Sequence, residues 1–194
     1  MSRFSLVLVA ALALAACDSA KPDDGAGEEE LITEVTLTLT NTDDASDVVT
    51  LRAVDADGDG RDPVFTPARA TLRPGAVYDG TIELRDGTRD EDITAEIREE
   101  AEEHLFRYAF QPASAGSIDL ADRESDYTSE DANGGDLAVG LAFRATVLAT
   151  ATGEGELNAV LYHFDDEPKE SSLDASDEID VDLEFPVSFG GPAL

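Results

Sequence analysis

From residue 31 onward, apolar and polar side chains take turns. In "LITEVTLTLT" Val35, Leu37 and Leu39 alternate with Thr36, Thr38 and Thr40, the period of a strand with one buried face. The turn-rich "NTDDASD" separates this run from "VVTLRAV" (48–54). "FTPARATL" (65–72) and "AVYDGTIELRD" (76–86) are joined by Arg73-Pro74-Gly75, a turn signal. "HLFRYAF" (104–110), "SIDLA" (117–121), "DLAVGLAFRATVLATA" (136–151) and "ELNAVLYHF" (156–164) continue the series. "EIDVDLEFPVSF" closes it, with Ile179, Val181, Leu183 and Phe185 expected to face one way. About nine short strands with regularly spaced turns, and no βαβ rhythm, predict an all-β fold. The natural form is an antiparallel, immunoglobulin-like β-sandwich over residues 31–190.

One segment departs from period two. "DEDITAEIREEAEE" (90–103) sets Ile93, Ile97 and Ala101 at i, i+4 and i+8, one face of a helix, and crowds acids into its start, where they favour the helix dipole. One short helix on the rim of the sandwich is expected here, and "SDYTSEDANGGD" (125–136) reads as a loop.

The first thirty residues belong to neither pattern. Arg3 precedes an apolar run from Phe4 to Ala16, and the composition then turns abruptly to "DSAKPDDGAGEEE". A short cationic start, an apolar stretch of about a dozen residues and small residues before a boundary make a secretory signal peptide over 1–16. The run is too short for a membrane span, which needs about 20 apolar residues. Leu14-Ala15-Ala16-Cys17 resembles the lipobox of bacterial lipoproteins: an apolar residue, two small residues, then the cysteine. The resemblance implies a diacylglyceryl group on the Cys17 sulfur, cleavage before Cys17, and palmitate-type acylation of the new N-terminus. More than one chain is what stable anchoring requires. Cys17 is the single cysteine of the chain, so a lipid there leaves no thiol for a disulfide, a thiolate metal site or a nucleophile. Residues 17–30 then form a flexible acidic linker. The expected location is the bacterial cell envelope, anchored to a membrane. Asp18 resembles the inner-membrane retention signal of some lipoproteins, whereas early acids accompany outer-membrane or surface display in others.

Charge narrows the partners. Asp and Glu number 44 against 13 Lys and Arg, a formal net charge of −31. Such a field repels phosphates and anionic lipid heads and excludes a nucleic-acid role. With 42% hydrophobic residues and clear strand patterns the chain is not an acidic disordered protein. Lys21 and Lys169 are its two lysines, so the surface is Asp-rich, Lys-poor and halophilic in type. Most individual acids are then solvated surface.

Two places carry candidate chemistry. "DADGDG" sets Asp55, Asp57 and Asp59 at positions 1, 3 and 5, and Gly60 at position 6, of an EF-hand-like Ca²⁺ loop. Position 12 is Thr66 rather than Glu and the flanks read as strands, so the full EF-hand is excluded. A weak partial calcium site and a solvated Asp-Gly turn remain as readings. The two histidines are the second place. Glu100 and His104 stand at i and i+4, with Glu96 one turn earlier, and His163 ends a strand before Asp165, Asp166 and Glu167. A site combining His104, His163 and the Glu100 carboxylate would suit Zn²⁺, Cu²⁺ or another transition metal. Two unrelated, half-buried histidines are the alternative.

The stretches "VDADGDG", "DITAEIREEAEEHLFRY" and "VLYHFDDEPKE", with the "LEFPVSF" ending, resemble a group of Bacteroidota-type small lipoproteins of unknown function. The resemblance implies a secreted β-sandwich lipoprotein and supplies no activity. No Gly-x-Ser-x-Gly, His-Glu-x-x-His or phosphate-binding glycine loop occurs, so no enzyme is expected. The expectation is a non-catalytic envelope protein that binds a metal, a small ligand or an outer-membrane transport receptor. A structural or adhesive surface module without a small ligand is the alternative.

Overall fold

The computed structural model describes residues 31–58, 60–128, 136–164, 169–173 and 175–190. The signal segment, Cys17 and the linker lie outside the described residues. So do Asp59, Asp165, Asp166, Glu167 and residues 129–135 of the expected loop. No helix among the described residues is long and apolar enough to cross a membrane.

The alternating pattern becomes ten strands in two sheets. β1 (Glu34–Asn41), β2 (Val48–Val54), β3 (Val64–Thr66), β5 (Val77–Arg85), β7 (Gly116–Leu120) and β8 (Ala142–Val147) form one sheet in the order β3-β2-β1-β5-β8-β7. β4 (Ala70–Leu72), β6 (His104–Gln111), β9 (Gly153–His163) and β10 (Glu178–Phe189) form the other, in the order β4-β10-β9-β6. The result is an all-β sandwich. The segment 65–72, expected as one strand, is cut at Pro67, which offers no N–H to a ladder. Its first half stays with β2 as β3 and its second crosses to the other sheet as β4, raising nine strands to ten. The pair β4–β10 is parallel and the other ladders are antiparallel.

The core lies between the sheets. Leu37, Leu39, Tyr78, Leu84 and Phe143 from one sheet meet Phe106, Leu157, Leu161, Phe185 and Val187 from the other. Every second residue of β1 is buried, as its sequence pattern required. At the rim, α1 (Ile93–Glu99) turns Ile93 and Ile97 inward, followed by Ala101 in the turn beyond it, all three fully buried. Thr94 fixes the helix to β5, its hydroxyl accepting from Leu84 N (2.8 Å) and donating to Leu84 O (3.1 Å). The helix is shorter than expected: Glu100 caps it, and His104 opens β6 instead of extending the helical face.

β10 contains one irregularity. Ile179 pairs with Tyr162 and Val181 with Leu161, so Asp180 is an extra residue in the ladder, a β-bulge. The bulge breaks the alternation expected for this strand. Val181 and Phe185 are buried, but Ile179 is 48% exposed.

Candidate metal centre

His104 and His163 are cross-strand partners at the shared end of β6 and β9. Their position follows from period two: in β9 Leu157, Ala159, Leu161 and His163 are successive inward residues. Phe106 and His104 likewise open the inward face of β6. Both histidines are therefore drawn into the interior, at 0% and 3% exposure. Their rings stack with centroids 4.4 Å apart and planes at 23°.

The carboxylate that joins them is Asp180, not the expected Glu100. The bulge turns Asp180 off the outward face it would hold in a regular strand, and its side chain is 3% exposed. One ligand atom from each of His104, His163 and Asp180 lies within 4.8 Å of the others. Asp180 Oδ2 stands 3.6 Å from His163 Nδ1 and 3.9 Å from His104 Nε2, and it accepts no hydrogen bond from the described residues. These gaps are too long for hydrogen bonds. Two ligands about 2.0–2.2 Å from one ion are separated by roughly 3.3–3.6 Å at a tetrahedral angle, so the two gaps to Asp180 lie within a few tenths of an ångström of what one ion spans, and the two imidazole nitrogens lie within 4.8 Å of each other.

Glu100 contributes through its backbone. Its carbonyl oxygen lies 3.1 Å from His104 Nδ1. A carbonyl can only accept, so Nδ1 carries a proton, and Nε2 is the ring nitrogen on the side of Asp180, 3.9 Å from its Oδ2. Metal-binding histidines are characteristically oriented this way, by a bond from the far ring nitrogen to a carbonyl or carboxylate. The i, i+4 spacing of Glu100 and His104 thus reflects a real contact, made by the backbone carbonyl at the end of the helix.

Lys169 secures the surroundings. Its side chain is wholly buried, and Nζ donates to Ala101 O (2.6 Å), His104 O (2.8 Å) and Ala138 O (3.0 Å). It also forms an ion pair with buried Glu124 at 3.1 Å. Burial pulls the ammonium below the ordinary lysine range, and Glu124 works in the opposite direction. Lys169 lies in the connection between His163 and Asp180, so this one amine ties that connection to the backbone of the remaining ligand. Nearby, Asp122 accepts from Gly140 N (2.7 Å), Ala142 N (3.1 Å) and the Tyr127 hydroxyl (2.8 Å). Burial, and then that carboxylate, push the Tyr127 hydroxyl well up.

The Asp-Gly loop adopts turn geometry. Asp55 Oδ2 accepts from Gly60 N at 2.7 Å, and Gly58 and Gly60 take φ of 66° and 74°, where glycine avoids the Cβ penalty. Asp57 is exposed. Among the described residues, Asp55 and Asp57 do not gather with a third acid into a ligand group.

Sequence reasoning found both histidines and missed Asp180 and Lys169. The available signal for Asp180 was an acid between two apolar residues of a core strand. For Lys169 it was one of only two lysines in a chain whose other bases are arginine. No protein-family model, no curated protein and no solved structure matches this chain.

Proposed function

We propose that the protein is an exported, lipid-anchored component of a bacterial cell envelope. In this reading its sandwich holds one borderline transition-metal ion, Zn²⁺ being the natural candidate, between His104, His163 and Asp180. The role is binding, not catalysis. The observation that carries the metal reading is the meeting of two cross-strand histidines with a bulge-directed aspartate, all nearly sealed from solvent. Two imidazoles and one carboxylate suit a borderline ion, and the carbonyl behind His104 supplies the usual support. The lipobox around Cys17 and the acidic linker support the envelope location.

Calorimetry with Zn²⁺ on the full chain tests the site. One ion per chain is expected, with His104→Ala, His163→Ala and Asp180→Asn each abolishing most binding and the double histidine variant little worse than either single one. X-ray absorption of the Zn²⁺ form should register two imidazole nitrogens at about 2.0–2.1 Å. Near-independent losses from the two histidine variants would mean that each histidine holds metal separately and would overturn the shared site. No binding at all would leave a structural or adhesive module with a buried His–His–Asp cluster.

A further inference from the structure

The ligand group is sealed by protein on most sides but adjoins a cavity. At the end where β1 and β2 face β10, a pocket of about 50 Å³, partly open to solvent, is lined by Thr33, Val35, Asp55, Asp180, Asp182 and others. That is room for more than one water molecule, each needing about 10–15 Å³ by this measure. Asp180 therefore has two surroundings: the residue borders the pocket, while its buried Oδ2 lies behind that lining, 3.6 Å from His163 Nδ1 and 3.9 Å from His104 Nε2. Asp55 is shared in the same way. It borders the pocket, and it also borders a shallow surface bowl with Asp57, Arg61 and Asp62.

We infer that the cation reaches His104 and His163 along this line of carboxylates, from the surface bowl past Asp55 into the pocket and on to Asp180. The inference rests on the metal reading above and gives the Asp-Gly loop a role other than a calcium site: it is the mouth of the path. Each step is short of water-free. A hydrated cation is collected by surface acids, loses part of its shell beside Asp55 and Asp182, and meets an Asp180 oxygen to which no described residue donates a hydrogen bond. Apolar Val35, Ala53 and Val181, all buried, line the same pocket. Low-dielectric walls of this kind concentrate the field of the few charges facing the pocket. Hydrogen bonding fixes the mouth without closing it, because Asp55 spends one oxygen on Gly60 N and its backbone N–H on Thr33 O (2.9 Å).

The test is kinetic. Zn²⁺ association with the full chain is followed by stopped flow against a chromophoric chelator. Asp55→Asn keeps an acceptor for Gly60 N and removes one charge from the path; it should slow association roughly threefold at low salt. The difference should vanish near 1 M salt, where the screening length is about 3 Å, while dissociation changes little. Asp79→Asn is the control. Asp79 lies exposed on β5, paired with Arg144 at 2.7 Å and absent from both the bowl and the pocket, so its loss changes net charge and that surface pair but no charge on the path. Equal slowing by Asp55→Asn and Asp79→Asn, or none by either, overturns the path and leaves the metal site standing. A wild-type chain that binds no Zn²⁺ overturns the site itself, and the path with it.

Discussion

Replacing Lys169 by Met keeps the side chain up to the position of Cε and removes its ammonium group. Three buried carbonyl oxygens then lose their donor, and Glu124, 4% exposed, loses its counter-ion. Hydrogen bonds to charged groups contribute about 1.5–3 kcal/mol each. Against the four contacts stands the desolvation of a buried ammonium, several kcal/mol, so the net value of the arrangement is small beside its gross value. The cost of breaking it is not, because one partner stays behind. Loss of one member of a buried ion pair costs about 3–5 kcal/mol, a large part of the 5–15 kcal/mol that holds a domain together. For a domain of this size that lowers Tm by roughly 10 °C. Urea unfolding followed by circular dichroism in 1 M NaCl is the suitable assay, since exposed charges are screened there and the buried pair is not. Lys169→Met with Glu124→Gln removes the stranded charge and should recover part of the loss, with a coupling energy of about 1.5–3 kcal/mol. A loss below about 1 kcal/mol for the single variant, or strict additivity in the double, would refute the reasoning.

Three further outcomes are expected. Cys17→Ala should abolish palmitate labelling and block cleavage of the signal segment; undiminished labelling would remove the lipid anchor. With a net charge of −31, Tm should rise by several degrees between 0.1 and 2 M salt, equally in NaCl and KCl, as repulsion is screened; a flat profile would show that the acidity is not a salt adaptation. The Asp86 carboxyl is held below its ordinary value of 3.8, chiefly by the Thr88 hydroxyl at 2.6 Å. A depressed folded-state value contributes stability above pH 3.8 that is lost as pH falls through that depressed value, so Asp86→Asn should flatten the acid limb of an unfolding-against-pH curve. An unchanged limb would assign acid sensitivity to other carboxylates.

The strands were legible because each is half-buried, and burial on one face writes period two directly into β1, β5 and β9. The same pattern placed the two histidines inward, for His163 is the next inward residue after Leu161. It could not reveal that they are partners, since the register of β6 on β9 is set by pairing across some fifty residues of sequence. Asp180 was hidden for the opposite reason. A bulge adds one residue, and alternation read straight through it assigned Ile179 to the core and Asp180 to solvent, the reverse of the structure. Helical spacing linked Glu100 to His104 correctly but suggested a carboxylate contact, because the end of α1 at Glu99 depends on packing rather than on composition.

That bulge has a bearing on how such a site could arise and disappear. Ile179 and Val181 flank Asp180 with pairings to consecutive residues of β9, Tyr162 and Leu161. Deleting Asp180 alone would leave an uninterrupted ladder in which every remaining core residue keeps its partner. A single codon therefore separates a sandwich that carries the third ligand from one that does not, with little cost to the framework on either side. Among sequences sharing this architecture, the length of the final strand relative to its neighbour, rather than the identity of any one aspartate, becomes the character to compare.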